Sequence, residues 1–173
     1  MSARKQILSL IIFAFGLSAG SAQATEWQDL IGKSGLDGWQ QLGGAARYEL
    51  EGGEIVGYAV ADTPNSFLAT NEFYSDFILE YEARLDDPMN SGVQFRSHVR
   101  KTGMVYGYQV EIDPTPRRFT GGLYDEKRRR WLYPLTRNEK GRDAFRNGDW
   151  NHFRVEAIGP SLRVWVNGIQ TVD

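Results

Sequence analysis

The sequence predicts an all-β protein folded as a sandwich of antiparallel sheets, and three observations predict it. After about residue 25, apolar residues recur at every second position, the spacing that buries one face of a strand and leaves the other polar. Clusters of Gly, Asn, Asp and Pro interrupt these runs at short intervals, as turns between strands require. Aromatic residues make up 13% of the chain and Gly contributes 19 residues, a mixture that favours strands and tight turns over helices. A length of 173 residues gives room for one domain, and no repeat or linker divides it.

Taken in order, short strands are expected at 48–50, 54–58 and 66–69. Phe77, Leu79, Tyr81, Ala83 and Leu85 then form one row, with Ile78, Glu80, Glu82 and Arg84 on the other side, so this strand is buried on one face. Val93, Phe95, Ser97 and Val99 alternate with Gln94, Arg96, His98 and Arg100. Tyr106, Tyr108, Val110 and Ile112 alternate with Gly107, Gln109, Glu111 and Asp113. The pattern returns at Phe153, Val155 and Ala157 and at Leu162, Val164 and Val166. A short helix is the weakest expectation, at 138–146. Asn167-Gly168 is a strong hairpin signal, yet only five residues follow it. Either this is an edge hairpin or the domain is cut short; the second is the expectation.

The N-terminus reads as an address. Arg4 and Lys5 precede an apolar run over 7–17, and Ala22-Gln23-Ala24 has the small residues of a cleavage site. Against an anchoring helix, the run falls short of the roughly 18 to 20 apolar residues that span a bilayer. Residues 1–24 are therefore expected to be an export signal, leaving a domain over 25–173 in the periplasm or outside the cell, with no membrane association. The absence of Cys excludes disulfides, thiol catalysis and thiolate metal sites. A net charge of −2 gives no global attraction to nucleic acid.

Two polar strand faces carry candidate chemistry. Gln94, Arg96 and His98 share one strand face, and Gln109, Glu111 and Asp113 share another; neighbouring strands would merge them into one patch of amides, cations and carboxylates. Such groups suit a ligand rich in hydroxyls, and Tyr106, Tyr124, Trp131 and Tyr133 offer rings to stack on a sugar. A solvated outer face is the bland alternative. A divalent cation held by His98, Glu111 and Asp113 is a lesser expectation. There is no Gly-x-Ser-x-Gly elbow and no phosphate-cradling loop. The run Lys127-Arg128-Arg129-Arg130 either contacts phosphates or is a solvated loop, and the preceding Asp125-Glu126 partly neutralises it. Asp125 is a candidate for the pocket mouth.

Leu36-Asp37-Gly38-Trp39, Asn90-Ser91-Gly92-Val93, the run from Tyr108 to Asp113, Gly121-Gly122-Leu123-Tyr124, Gly148-Asp149-Trp150-Asn151 and the closing Val164-Trp165-Val166-Asn167-Gly168 fall in a recognisable order. From about Trp27 onward the chain resembles the 3-keto-disaccharide hydrolase family. The resemblance implies a concanavalin-like jelly roll with a sugar site on its concave face, and a family domain running roughly two strands beyond Asp173. It also implies action on 3-keto glycosides, whose ketone acidifies the C2 proton, so that a base removes it and the C1 group leaves. On strand-face geometry Glu111 is the expected base, Arg96 or His98 the enolate stabiliser and Asp113 the leaving-group acid. Gln94, Gln109, Tyr106, Tyr124, Asp125 and Trp131 are the expected sugar contacts. The alternative is a carbohydrate-binding module without catalysis.

Overall fold

The computed structural model describes residues 4–7, 13–14, 27–32, 35–86 and 89–173. Every ladder among them is antiparallel. The strands are β1 (Arg4–Ile7), β2 (Phe13–Ala14), β3 (Gln28–Asp29), β4 (Trp39–Gly43), β5 (Arg47–Glu51), β6 (Glu54–Ala59), β7 (Ser66–Thr70), β8 (Phe77–Ala83), β9 (Ser91–Val99) and β10 (Val105–Ile112). After them come β11 (Leu123–Glu126), β12 (Arg130–Tyr133), β13 (Asn151–Ile158), β14 (Ser161–Val166) and β15 (Ile169–Val172). One helical turn, α1 (Glu139–Arg142), lies inside the expected 138–146 segment. The expected export signal lies mostly outside the described residues; its β1 backbone pairs with β6, and its β2 backbone pairs with β3 and β8.

Two sheets make the jelly-roll sandwich. One has the order β15-β14-β13-β8-β2-β3 and the other β12-β11-β10-β9, while β4-β7 and β1-β6-β5 form smaller sheets. The period-two rows become the core. Phe77, Leu79, Tyr81 and Ala83 of β8 join Phe153, Val155 and Ala157 of β13 and Val164 and Val166 of β14. Phe95, Val110, Ile112 and Leu123 of the second sheet complete the cluster. Within it Tyr81 stacks on Phe153 with ring centroids 4.8 Å apart and planes 3° from parallel. Each such side chain contributes roughly 1.5–3 kcal/mol by leaving water, so these rows hold the sheets face to face. The outer face of β8 and β13 is polar as expected: Arg154 binds both Glu80 and Glu156.

The C-terminal hairpin turns as its sequence dictates. Asn167 and Gly168 both take positive φ, 49° and 79°, the two left-handed residues a two-residue turn needs. The Asn167 side chain ties the turn down, donating to the carbonyl of Ala144 and to Asn151 Oδ1, both at 2.8 Å, and accepting from the His152 N–H. Among the described residues no helix is long and apolar enough to cross a membrane.

Candidate functional site

Because the core takes one face of β9 through β12, the register fixes what stands on the other. Gln94 lies opposite Gln109, Gln109 opposite Tyr124, and Tyr124 opposite Trp131, so these four form a row across four strands. Glu111 lies on the same face, opposite Gly92. Gly92 has a steric reason: a Cβ there would come within 2.8 Å of the Gln109 side chain and 2.7 Å of the Val110 carbonyl. Its absence lets Gln109 lie down beside Glu111.

The polar groups of this face are connected. Ser97 donates to Gln94 Oε1 at 3.0 Å, Gln94 Nε2 to Gln109 Oε1 at 3.1 Å, and Gln109 Nε2 to Glu111 Oε2 at 3.0 Å. Asn90 Nδ2 donates to Glu111 Oε1. Glu111 is only 4% exposed. Burial pushes its carboxyl above the ordinary Glu range, and the hydrogen bonds from Asn90 and Gln109 offset only part of that rise. A carboxylate tuned upward in this way is a stronger base than a solvated one.

Asn90, Gln94, Ser97 and Gln109 form the polar wall of a cleft of about 520 Å³ along the free edge of β9. Phe67, Leu68 and Thr70 of β7 contribute to the opposite side. Phe73, in the loop from β7 to β8, also lines the cleft and is 95% exposed, an unusual position for a phenylalanine.

Amides and exposed aromatic surface line this cleft, and the buried carboxylate of Glu111 accepts from two of those amides. Residues 26–173 match the family model described as a 3-keto-alpha-glucoside-1,2-lyase-like domain. The chain belongs to this family. No match was found among curated proteins.

In this lyase-like domain several residues expected beside Glu111 are turned away from it, and one irregularity explains two of them, Arg96 and His98, which still line the cleft. The β9–β10 register shifts between Tyr106 and Tyr108, because β9 carries an extra residue at Arg96, whose φ is +47°. The bulge turns the Arg96 guanidinium away from Glu111. It donates instead to the carbonyls of Ser75, Ala157 and Gly159 and to Asp76 Oδ1, at 2.7–3.0 Å. Ser97 takes the place on the polar face that alternation gave to Arg96. Gly107 opposes the bulge, where a Cβ would lie 2.7 Å from Ser97 Cα. Beyond the bulge His98 pairs with Tyr106, so both sit on the face opposite Gln94 and Gln109, with their rings 5.6 Å apart.

Asp113 and Asp125 are both held in ion pairs with nearby arginines. Asp113 lies past the end of β10, buried, accepting from Arg117 Nε at 2.7 Å and from the Thr115 N–H at 3.2 Å. Burial alone would raise its pKa, but the hydrogen bonds from Arg117 and Thr115 outweigh it and hold the carboxyl below the ordinary Asp range. A carboxyl so firmly ionised is a poor proton donor to a leaving group. Asp125, opposite Tyr108 in register, faces away from the cleft wall and accepts from Arg128 and Arg129. It too is held below its ordinary range, the two arginines outweighing burial. His98, Glu111 and Asp113 therefore do not converge as cation ligands. Among the described residues no group of three or more His, Asp or Glu is placed to hold a metal ion.

Tyr124 and Trp131 do sit on the expected face, their rings edge to face at 5.2 Å. Asn90, Ser97 and Phe73 were not expected at the site. Asn90 stands in the Asn-Ser-Gly-Val motif with no role attached to its side chain, Ser97 is hidden by the bulge, and nothing in period-two alternation points to a loop phenylalanine.

Proposed function

We propose that this protein is an exported enzyme that cleaves 3-keto glycosides by elimination across C1 and C2, with Glu111 as the base. The observation that carries this reading is the placement of Glu111: buried, its pKa raised, and held by two amides that line the cleft. The C3 ketone makes the C2 proton acidic. Glu111 takes that proton, the C2–H electrons become the C1=C2 double bond, and the C1–O bond breaks with its electrons going to the leaving oxygen. That oxygen then receives a proton, either back from Glu111 on the same face or from water. One carboxyl thus serves as base and then as acid, which removes the need for Asp113 as donor. Negative charge developing on the C3 oxygen calls for hydrogen-bond donors, and the side-chain N–H groups of Asn90 and Gln94 are the donors at hand. Phe73 offers the sugar ring an apolar surface. Export follows the reading of residues 1–24.

A second reading, sugar binding without turnover, is favoured by one observation. Both Glu111 oxygens already accept side-chain hydrogen bonds, which leaves only their second lone pairs for a substrate proton and suits a carboxylate that holds the amides in place. Incubation with a 3-keto disaccharide separates the two. Release of one sugar with appearance of a conjugated enone establishes elimination; saturable binding with no new product establishes the binding module.

A further inference from the structure

At one end of the core-facing side of the β9–β12 sheet, beyond the stack of Tyr108 on Phe95, stands a second constellation that the proposed reaction does not use. Its centre is Asp125, whose side chain is fully buried. Its two oxygens accept from Nε of Arg128 and Nε of Arg129, each at 2.6 Å. With Nε of each bound to Asp125, the Nη atoms are left for other partners. Arg129 spends one Nη on the Tyr108 hydroxyl, at 3.1 Å. The rings beneath are covered by cations: Arg128 lies 5.0 Å from the Tyr108 centroid and 5.7 Å from that of Tyr106, and Arg100 lies 5.1 Å from Tyr106. Arg100 also donates to the carbonyl of Lys127 at 3.3 Å. Lys127 and Arg130 take left-handed φ of 57° and 68°, which folds the four consecutive cations into one tight turn.

A merely solvated loop has no need of this arrangement. Long arginine side chains on a free turn keep their rotamer freedom, and a buried carboxylate is costly without ion-pair partners. Here that freedom is surrendered before any ligand arrives, which is what preorganised recognition requires. Five cations, Arg100, Lys127, Arg128, Arg129 and Arg130, stand against Asp125 and Glu126, a local positive excess in a chain of net charge −2. Arg128 and Arg129 stay 31% and 58% exposed, so their outer edges are open to a planar or tetrahedral oxyanion. Both tyrosine rings carry guanidinium groups, which argues against stacking of nucleic-acid bases on them. His98 and Val99 line one end of the cleft, and Arg100 follows them directly in the chain.

We propose that this cluster binds an oxyanion carried on a saccharide, a carboxylate or a phosphate group, with the outer Nη atoms of Arg128 and Arg129 as donors and Arg100 and Lys127 as flanking charge. The oxyanion chemistry stands on the cluster itself; that its carrier is a saccharide rests on the function proposed above.

The test is binding of trigalacturonic acid, maltotriose, inorganic phosphate and a short single-stranded oligonucleotide, measured by calorimetry at low ionic strength. None of these is a 3-keto sugar, so the result is independent of whether Glu111 catalyses elimination. The acidic trisaccharide should bind at least about tenfold more tightly than the neutral one, the scale of hydrogen bonds to charged groups. Phosphate binding without uronide binding would assign the phosphate source. The double variant Arg128→Gln/Arg129→Gln should lose the preference while turning over a neutral 3-keto disaccharide as the wild type does. Asp125→Asn is the sharper variant. It makes the patch more positive but releases both arginines, so preorganised recognition predicts weaker binding and simple charge attraction predicts stronger. Equal affinity for acidic and neutral sugars together with no phosphate binding, no effect of the double variant, tighter binding by Asp125→Asn, or preference for the oligonucleotide would overturn the proposal.

Discussion

At the scale of single residues, the informative groups are those whose surroundings contradict their chemistry. Glu111 is a carboxylate in a place that disfavours its charge, which is how active sites obtain a base suited to neutral pH. Tyr81 is the counterpart in the core. Its hydroxyl is buried with no hydrogen-bond partner among the described residues, and burial raises its pKa far above the ordinary tyrosine range. An unpaired buried hydroxyl costs free energy, while the ring's stacking on Phe153 does not depend on it. Tyr81→Phe should therefore raise stability by about 1 kcal/mol, read as a higher denaturant midpoint with an unchanged slope. A lower midpoint would mean that the hydroxyl has a partner.

At the scale of elements, the bulge in β9 decides what the site contains. Strict alternation puts Arg96 and His98 on the same face as Gln94; one extra residue turns both off that face, though they still line the cleft, and brings in Ser97. A bulge is invisible to periodicity, because it leaves the apolar residues on either side in plausible positions. A left-handed backbone at a non-glycine residue costs roughly 1–2 kcal/mol, and the four hydrogen bonds made by the Arg96 guanidinium offset it. Arg96→Ala should destabilise the fold by about 2 kcal/mol, the scale of lost hydrogen bonds to a charged group, measured by urea unfolding. Unchanged stability with a raised KM would instead return Arg96 to the substrate. The spacing around the two aspartates carries a signal of its own. Asp113 precedes Arg117 by four residues, and Asp125 precedes Arg128 and Arg129 by three and four. Across a tight turn that spacing brings opposite charges together, a signal that each carboxylate was already spoken for.

Over the whole molecule, the core could be read from the sequence because burial imposes period two on the central strands β8 and β13. The partners of the polar groups could not, because register and turn geometry choose them. The charges also set how stability responds to pH. Asp113 and Asp125 have lowered folded pKa values, so their contribution is present above about pH 3.9 and is lost as pH falls through their folded values. Glu111 has a raised folded pKa, so its contribution is full below about pH 4.3 and is lost as pH rises through its folded value. Glu111→Gln removes only the second effect. Its stability relative to wild type should rise between pH 4 and pH 8, measured as paired urea midpoints. A difference that stays constant with pH would show that Glu111 titrates normally.

The central claim is that Glu111 removes the C2 proton of a 3-keto glycoside. Glu111→Gln keeps the shape of the side chain and abolishes the base. The deciding measurement is turnover of a 3-keto disaccharide in deuterated water, following sugar release and exchange at C2 together. The variant should lose at least about 10²-fold in kcat, the lower end of what a general base supplies. Substrate affinity should change far less, since a base acts mainly in the transition state, and C2 exchange should slow in step with release. A variant that releases sugar and exchanges C2 at wild-type rates would contradict the claim.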